Sequence, residues 1–166
     1  RVFVTGLGLV SPHGGCPEDV FDRLCAGESA IRKLRSGTAE FGADVLLAPA
    51  EFDHAGVIPK GQLFAMDRVA QMAVVAAERA LVGSGLLSEG RGPADAGIYM
   101  GCGLGGSNAL QDAYRTYYQR QSRKLKPTSV PLIMANASAS HISMRFGILG
   151  PSLTYSIACA SSAMAI

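Results

Sequence analysis

Tryptophan is absent from this 166-residue chain, and aromatic residues make up only 7% of it. Charged residues are also few, at 17%, whereas hydrophobic residues reach 48%, and this balance excludes an intrinsically disordered chain. There is no run of about 18 apolar residues, so the sequence predicts no membrane span. The four cysteines stand apart without a CxxC pair, which argues against a metal site or a disulfide framework and favours a cytoplasmic protein.

Acidic residues are missing from the last third of the chain. Residues 1–112 hold all 13 acidic residues and 9 basic ones, a net charge of −4, whereas residues 113–166 hold 6 basic residues and no acidic one, a net charge of +6. Tyrosines at 114, 117 and 118 lie beside this basic stretch. From the residues alone, a solvated loop, a nucleic-acid surface and a docking site for an acidic protein all remain open.

The chain alternates between strand-like and helix-like segments. The predicted elements are a buried strand at 2–5, a helix from Pro17 to a stop at Gly27, a helix from its cap Asp67 to about Leu81, a strand at 97–101, a helix at 131–146 and a strand at 153–158, with 32–62 irregular. Strands alternating with helices favour an α/β fold with a largely parallel sheet, and the length favours one domain. Because the last helical pattern has no stop signal, we expect a piece of a longer protein.

Cys159 is the strongest candidate for catalysis. It follows the apolar pattern at 153–158 and precedes a run of small residues, where a helix is predicted to begin. The N–H groups at a helix N-terminus favour a thiolate, which is the nucleophile, and can also hold an oxyanion. The alternative is a buried, inert cysteine. None of the histidines His13, His54 and His141 offers a convincing general base, and each is interpreted as structural.

A second candidate is the loop GCGLGG at 101–106, which matches GxGxxG after a predicted strand. A dinucleotide fingerprint needs an acidic residue about 20 positions further on, and no acidic residue follows Asp112. Arg120 or Arg123 could hold a 2′-phosphate instead, which leaves an NADP-dependent oxidoreductase as an alternative. The other interpretation is a loop whose backbone approaches a neighbouring segment or a substrate closely.

In this order and spacing, the segments resemble the N-terminal half of the β-ketoacyl-acyl-carrier-protein synthases of types I and II, which have the thiolase fold. The resemblance covers the whole chain and is carried by VFVTGLGLVSPHG at 2–14, MDRVAQMAVVAAERAL at 66–81, GIYMGCGLGG at 97–106, VPLIMAN at 130–136 and RFGILGPSLTYSIACASSAMAI at 145–166. It implies an α/β N-terminal thiolase-like domain at 1–166, with a mixed, largely parallel sheet and helices on both faces. The C-terminal half of the fold is not in this sequence.

The function implied by the resemblance is decarboxylative Claisen condensation in fatty-acid or polyketide biosynthesis, an acyltransferase activity without a cofactor. Cys159 would carry the acyl group as a thioester, and the carbanion from malonyl-carrier protein would attack it. In the family, two histidines and a lysine that assist this reaction lie beyond the position of Ile166. The 166 residues alone are therefore expected not to catalyse condensation.

The resemblance also assigns substrate and partner residues. Leu104 aligns with an apolar gate over the acyl pocket, and Ser129 aligns where type II enzymes place a phenylalanine that reaches this pocket across a dimer. Arg120, Arg123 and Lys124 are implied as docking residues for an acidic acyl carrier protein. A homodimer, or a heterodimer with a homologous subunit, is expected, without nucleic acid.

Two further alternatives come from relatives of this family. One is a non-catalytic partner subunit such as a chain-length factor, and the presence of Cys159 counts against it. The other is an acyltransferase that uses the same cysteine without condensation.

Overall fold

A computed structural model describes residues 1–34 and 44–166 of the chain. The α-helices of the described residues are α1 Pro17–Cys25, α2 Arg68–Gly83, α3 Ser107–Tyr114, α4 Ser129–Ile133, α5 Ala137–Phe146 and α6 Ser161–Ala165. The strands are β1 Arg32–Leu34, β2 Val45–Leu47, β3 Ile98–Gly101 and β4 Ser152–Tyr155. A π-helical turn, Arg115–Gln119, continues α3, and 3₁₀ turns cover Lys60–Ala65 and Ala158–Ala160.

Strands β3 and β4 form a parallel pair in which Ile98 lies opposite Ser152 and Gly101 lies opposite Tyr155. The chain crosses between them through α3, α4 and α5, as a parallel connection requires. Strands β1 and β2 form a separate antiparallel pair. The parallel pair with its helical crossover confirms the α/β fold class, and it brings the ends of β3 and β4 to one edge.

The longest helix, α2, begins where the sequence predicts. The Asp67 carboxylate accepts a hydrogen bond of 3.2 Å from the Val69 N–H, which satisfies one of the unpaired donors of the first turn. The helix packs against α5, and this contact holds the centre of the core. The buried apolar cluster comprises Val57, Ile58, Met66, Ala70, Val74, Val75, Ile98, Ala139, Ile142, Phe146 and Ile148.

Helices cover the two faces of the β3–β4 pair. Ile98 points into the core with the α5 side chains, and α5 contacts both strands. Gly101, three residues later and therefore on the opposite face, points at the backbone of α6. The turn that leads into α6 consequently lies directly over the end of β3.

Four of the predicted segments differ in the structure. The strand predicted at 153–158 is β4 Ser152–Tyr155, which ends four residues before Cys159, and the region predicted to be irregular, 32–62, contains β1, β2 and the start of a 3₁₀ turn. Residues 2–5 form no strand, because no described segment pairs with them, and Val2, Phe3 and Val4 are exposed rather than buried. Helix α1 forms from Pro17 to Cys25 as predicted, and none of its residues is buried. The helix predicted at 131–146 is two helices, since Met134 has a non-helical backbone (ψ 136°) that separates α4 from α5.

No helix in residues 1–34 and 44–166 combines the length and apolar character needed to cross a membrane.

Candidate active site

Cys159 lies in a tight turn between a parallel strand and a helix. Strand β4 ends at Tyr155, the 3₁₀ turn Ala158–Ala160 carries the cysteine, and α6 begins at Ser161. Ala158 has a φ of +46°, a left-handed conformation that is uncommon for a residue with a side chain and has to be stabilised by its surroundings. The cysteine is exposed, so a reactant can reach its thiol.

The side chain of Ser161 closes this turn. Its hydroxyl accepts a hydrogen bond of 2.9 Å from the Ile157 N–H and donates one of 2.7 Å to the Ala158 carbonyl. Ser161 is only 2% exposed, so the two bonds lie away from competing water. A single hydroxyl thus ties together the residues on either side of Cys159.

The glycine-rich loop packs against the same turn. A Cβ atom on Gly101 would lie 2.5 Å from the carbonyl carbon and oxygen of Ser161, and one on Gly103 would lie 3.4 Å from the Ala158 carbonyl oxygen. On the other side of the loop, Gly105 and Gly106 approach the backbone of α4 just as closely. Protein backbone therefore explains these glycines, and the GxGxxG pattern gives the dinucleotide interpretation no structural support.

Two side chains of this loop point in different directions. Cys102 is buried, its N–H donates to the Tyr155 carbonyl at 3.0 Å, and its Sγ accepts from the Gly105 N–H at 3.3 Å. Leu104 is 73% exposed. Because Gly103 lies against Ala158, the loop places Leu104 close to the turn that holds Cys159.

A cavity of about 520 Å³ lies between the start of α2 and the stretch 115–126. Five basic side chains and two carboxylates line it: Arg68, Arg115, Arg120, Lys124, Lys126, Asp67 and Asp112. Ser129 lies on the same wall, so the structure brings Ser129, Arg120 and Lys124 together. Arg123 is exposed one position before Lys124, whereas Cys159 and Leu104 do not border this cavity.

Asp67 joins the two helices on either side of that cavity. One carboxylate oxygen caps α2 through the Val69 N–H, and the other accepts a hydrogen bond of 2.8 Å from the Ala109 N–H in the first turn of α3. Asp67 is 7% exposed, and its negative charge lies where both helix dipoles are positive. The basic stretch is therefore held at a defined position relative to α2.

His141 lies beside a smaller cavity of about 270 Å³. Its Nε2 donates to the Ala65 carbonyl at 3.1 Å, the tautomer that this acceptor requires. Burial lowers the pKa of His141 below its ordinary value of 6.5, and this hydrogen bond opposes the shift more weakly. These contacts agree with a structural histidine. Among the residues that the structure describes, no cluster of three histidine, cysteine or acidic side chains could hold a metal ion.

Sequence reasoning missed two features of this site. Ser161 was included only in a run of small residues, and its hydrogen bonds depend on the fold of the turn. Arg68 precedes the basic stretch by nearly fifty positions, yet it lines the same cavity and lies over the Phe52 ring at 4.9 Å. A serine two positions after a candidate nucleophile is the one signal that could have indicated the first.

The family described as beta-ketoacyl synthase, N-terminal domain, matches residues 1–166. The chain belongs to this family. It is 31% identical over 160 residues to 3-oxoacyl-[acyl-carrier-protein] synthase 2 of Vibrio cholerae, an alignment that covers 96% of this chain and 39% of that protein. The chain thus spans about two fifths of the length of that relative.

Solved structures show the same fold. A beta-ketoacyl synthase from Burkholderia phymatum superposes with a TM-score of 0.79 at 26% identity, over 99% of this chain and 41% of that one. One chain from the complex of a type II polyketide synthase acyl-carrier protein with its ketosynthase superposes with a TM-score of 0.77 at 21% identity. The match covers 99% of this chain and 44% of that one. The thiolase fold predicted from the sequence is confirmed.

Proposed function

We propose that the protein containing this chain is a 3-oxoacyl-acyl-carrier-protein synthase with Cys159 as its nucleophile. The observation that carries the proposal is the exposed Cys159 in the turn after β4, in a chain that matches the beta-ketoacyl synthase N-terminal domain over residues 1–166. The relative from Vibrio cholerae bears this activity in its name.

The reaction forms and breaks thioester bonds at one sulfur atom. The Cys159 thiolate attacks the acyl thioester of a carrier protein, and the carrier thiol leaves. Malonyl-carrier protein then loses CO₂, and the resulting carbanion attacks the carbonyl carbon of the Cys159 thioester. The cysteine leaves as thiolate, so the 3-oxoacyl product remains on the second carrier. Leu104, on the loop that packs against this turn, is proposed to border the acyl chain, and Ser129 is proposed to reach the pocket of a partner subunit.

The proposed partner is an acidic acyl carrier protein. Arg120 and Lys124 line a cavity where basic side chains outnumber carboxylates by five to two, and Arg123 is exposed beside them. A surface of this charge attracts an acidic partner and orients it on approach. The polyketide relative was solved with its acyl-carrier protein bound, which supports the same class of partner here.

The experiment is acyl loading of the whole protein from an acyl carrier protein, read by intact mass spectrometry and peptide mapping. One acyl group is expected on Cys159, and Cys159→Ala should abolish both loading and condensation. Cys25→Ala is the matched control, since Cys25 is also an exposed cysteine, on α1, and its loss should change neither.

The outcomes separate the alternatives. An adduct on another residue, or undiminished condensation by Cys159→Ala, contradicts the mechanism. Loading without any condensation would favour the related acyltransferase. A folded protein that takes no acyl group would favour a non-catalytic partner subunit.

A further inference from the structure

We propose that Ser161 is a positioning residue for acyl transfer: its hydroxyl holds the turn in the one conformation that presents Cys159 to the acyl donor. The inference rests on the proposed function of Cys159. Ser161 acts through the backbone of Ile157 and Ala158, the two residues that precede the cysteine.

The first argument is the conformation of Ala158. A left-handed φ of +46° is unfavourable for alanine, so the turn needs a compensating interaction. Ser161 supplies it, because its hydroxyl bonds to the carbonyl of Ala158 at 2.7 Å and to the N–H of the preceding Ile157 at 2.9 Å. These bonds fix the peptide group that follows Ala158 and the one that precedes Ile157, so the strained residue lies between two tied points.

The second argument is burial. Ser161 is 2% exposed, and its backbone lies against Gly101 at the end of β3. Water has little room to replace the hydroxyl if it is removed, so the Ile157 N–H and the Ala158 carbonyl would be left without their partner. The turn would then populate other conformations, and the fraction of molecules with a competent Cys159 would fall.

The expected result is a change in rate without a change in carrier affinity. Ser161→Ala should slow acyl loading of Cys159 by about tenfold, the effect of one or two lost hydrogen bonds, in the whole protein. The KM for the acyl carrier protein should stay the same, because Ser161 lies outside the basic cavity. Ser162→Ala is the matched control: it removes the neighbouring, exposed serine and should load at the normal rate.

Cysteine labelling of the same variants distinguishes positioning from loss of fold. Cys102 is buried, whereas Cys16 and Cys25 are exposed, so iodoacetamide should modify the last two and spare Cys102 in a folded protein. Slow loading with Cys102 still protected supports the proposal. Slow loading with Cys102 modified shows general unfolding and overturns it.

Two further outcomes separate this inference from the function on which it rests. If the wild-type protein loads Cys159 and Ser161→Ala loads it equally fast, the positioning role is wrong and the proposed function stands. If the folded wild-type protein loads no acyl group on Cys159, the proposed function fails, and the role of Ser161 fails with it.

Discussion

Single residues set the geometry around Cys159. The left-handed Ala158 turns the chain sharply after β4, so the cysteine lies exposed at the end of the parallel pair rather than within the sheet. The hydroxyl of Ser161, three residues further along the chain, donates a hydrogen bond to the Ala158 carbonyl and so stabilises this conformation. The candidate nucleophile thus lies in a turn whose conformation is set by the left-handed Ala158 and the hydrogen bonds of Ser161.

A different residue, His141, should make stability depend on pH. Burial lowers its pKa below the ordinary value of 6.5, so the folded protein favours the neutral ring that donates to the Ala65 carbonyl. As the pH falls through the unfolded value, the unfolded chain binds the proton first and stability decreases. Stability should therefore be highest above about pH 6.5 and decline toward pH 5.

Thermal unfolding of the whole protein and of His141→Gln, between about pH 5 and pH 8, tests this expectation. The glutamine keeps an N–H donor for Ala65 but cannot titrate, so its Tm should vary less over this range. Equal pH dependence of the two proteins would show that other groups control the acid response. Below the pKa that His141 has in the folded protein, its contribution to the pH dependence of stability should disappear, because both states then bind the proton.

At the scale of elements, the packing of β3 against the first turn of α6 requires a glycine. A Cβ atom at position 101 would lie 2.5 Å from the Ser161 carbonyl and 2.6 Å from the Ser162 Cα, and both contacts are to backbone. Gly101→Ala should therefore destabilise the protein by about 1–3 kcal/mol and move the turn, which should slow acyl loading as well.

Gly61→Ala serves as the control for that substitution. Nothing lies within 4 Å of a Cβ at Gly61, so this change reduces the entropy of the unfolded chain without a clash. Denaturant unfolding should show Gly61→Ala as stable as wild type or slightly more so. A Gly101→Ala protein of unchanged stability and loading rate would mean that the strand and the turn can separate at little cost.

Elements that depend on local sequence signals were predictable, whereas elements that depend on contacts between distant residues were not. The start of α2 at Asp67, the stop of α5 at Gly147 and the position of Cys159 were predictable, because caps, left-handed glycines and a strand-to-helix pattern are local signals. The break at Met134 was not, since an apolar periodicity continues across it. The prediction of a strand at 2–5 was wrong, because a strand also needs a neighbouring strand with which to pair.

In the candidate site, too, contacts between residues far apart in the sequence could not be predicted. The sequence indicated the thiol and several cationic side chains, but Arg68 meets the stretch 115–126 across the cavity only because Asp67, at the start of α2, is bonded to α3. The carboxylate that links those helices, Asp67, looks like an ordinary helix cap in the sequence. Its second bond, to Ala109, is forty-two residues away and could not be read from local pattern.

At the scale of the whole molecule, positive charge is concentrated in one part of the chain. Residues 113–166 carry +6 while residues 1–112 carry −4, and four of the six basic side chains of residues 113–166 line the cavity together with Arg68. Such a distribution affects the rate at which an acidic partner associates more than it affects the fold. The relevant observable is therefore a dependence on ionic strength of the reaction with a carrier-linked substrate.

The double variant Arg120→Glu/Arg123→Glu should weaken that reaction selectively. It replaces two positive charges with two negative ones at the proposed docking surface, so KM for an acyl carrier protein substrate should rise about tenfold at low salt. The salt dependence should flatten, because the attraction that salt screens has been removed. Small thioester substrates should react as before, since they need no protein docking. Arg23→Glu, an exposed change on α1 outside the cavity, should alter neither the KM for the carrier protein substrate nor its salt dependence. Equal losses on carrier-linked and small substrates would instead show that Arg120 and Arg123 support the fold, and carrier docking would then have to be sought elsewhere on the protein.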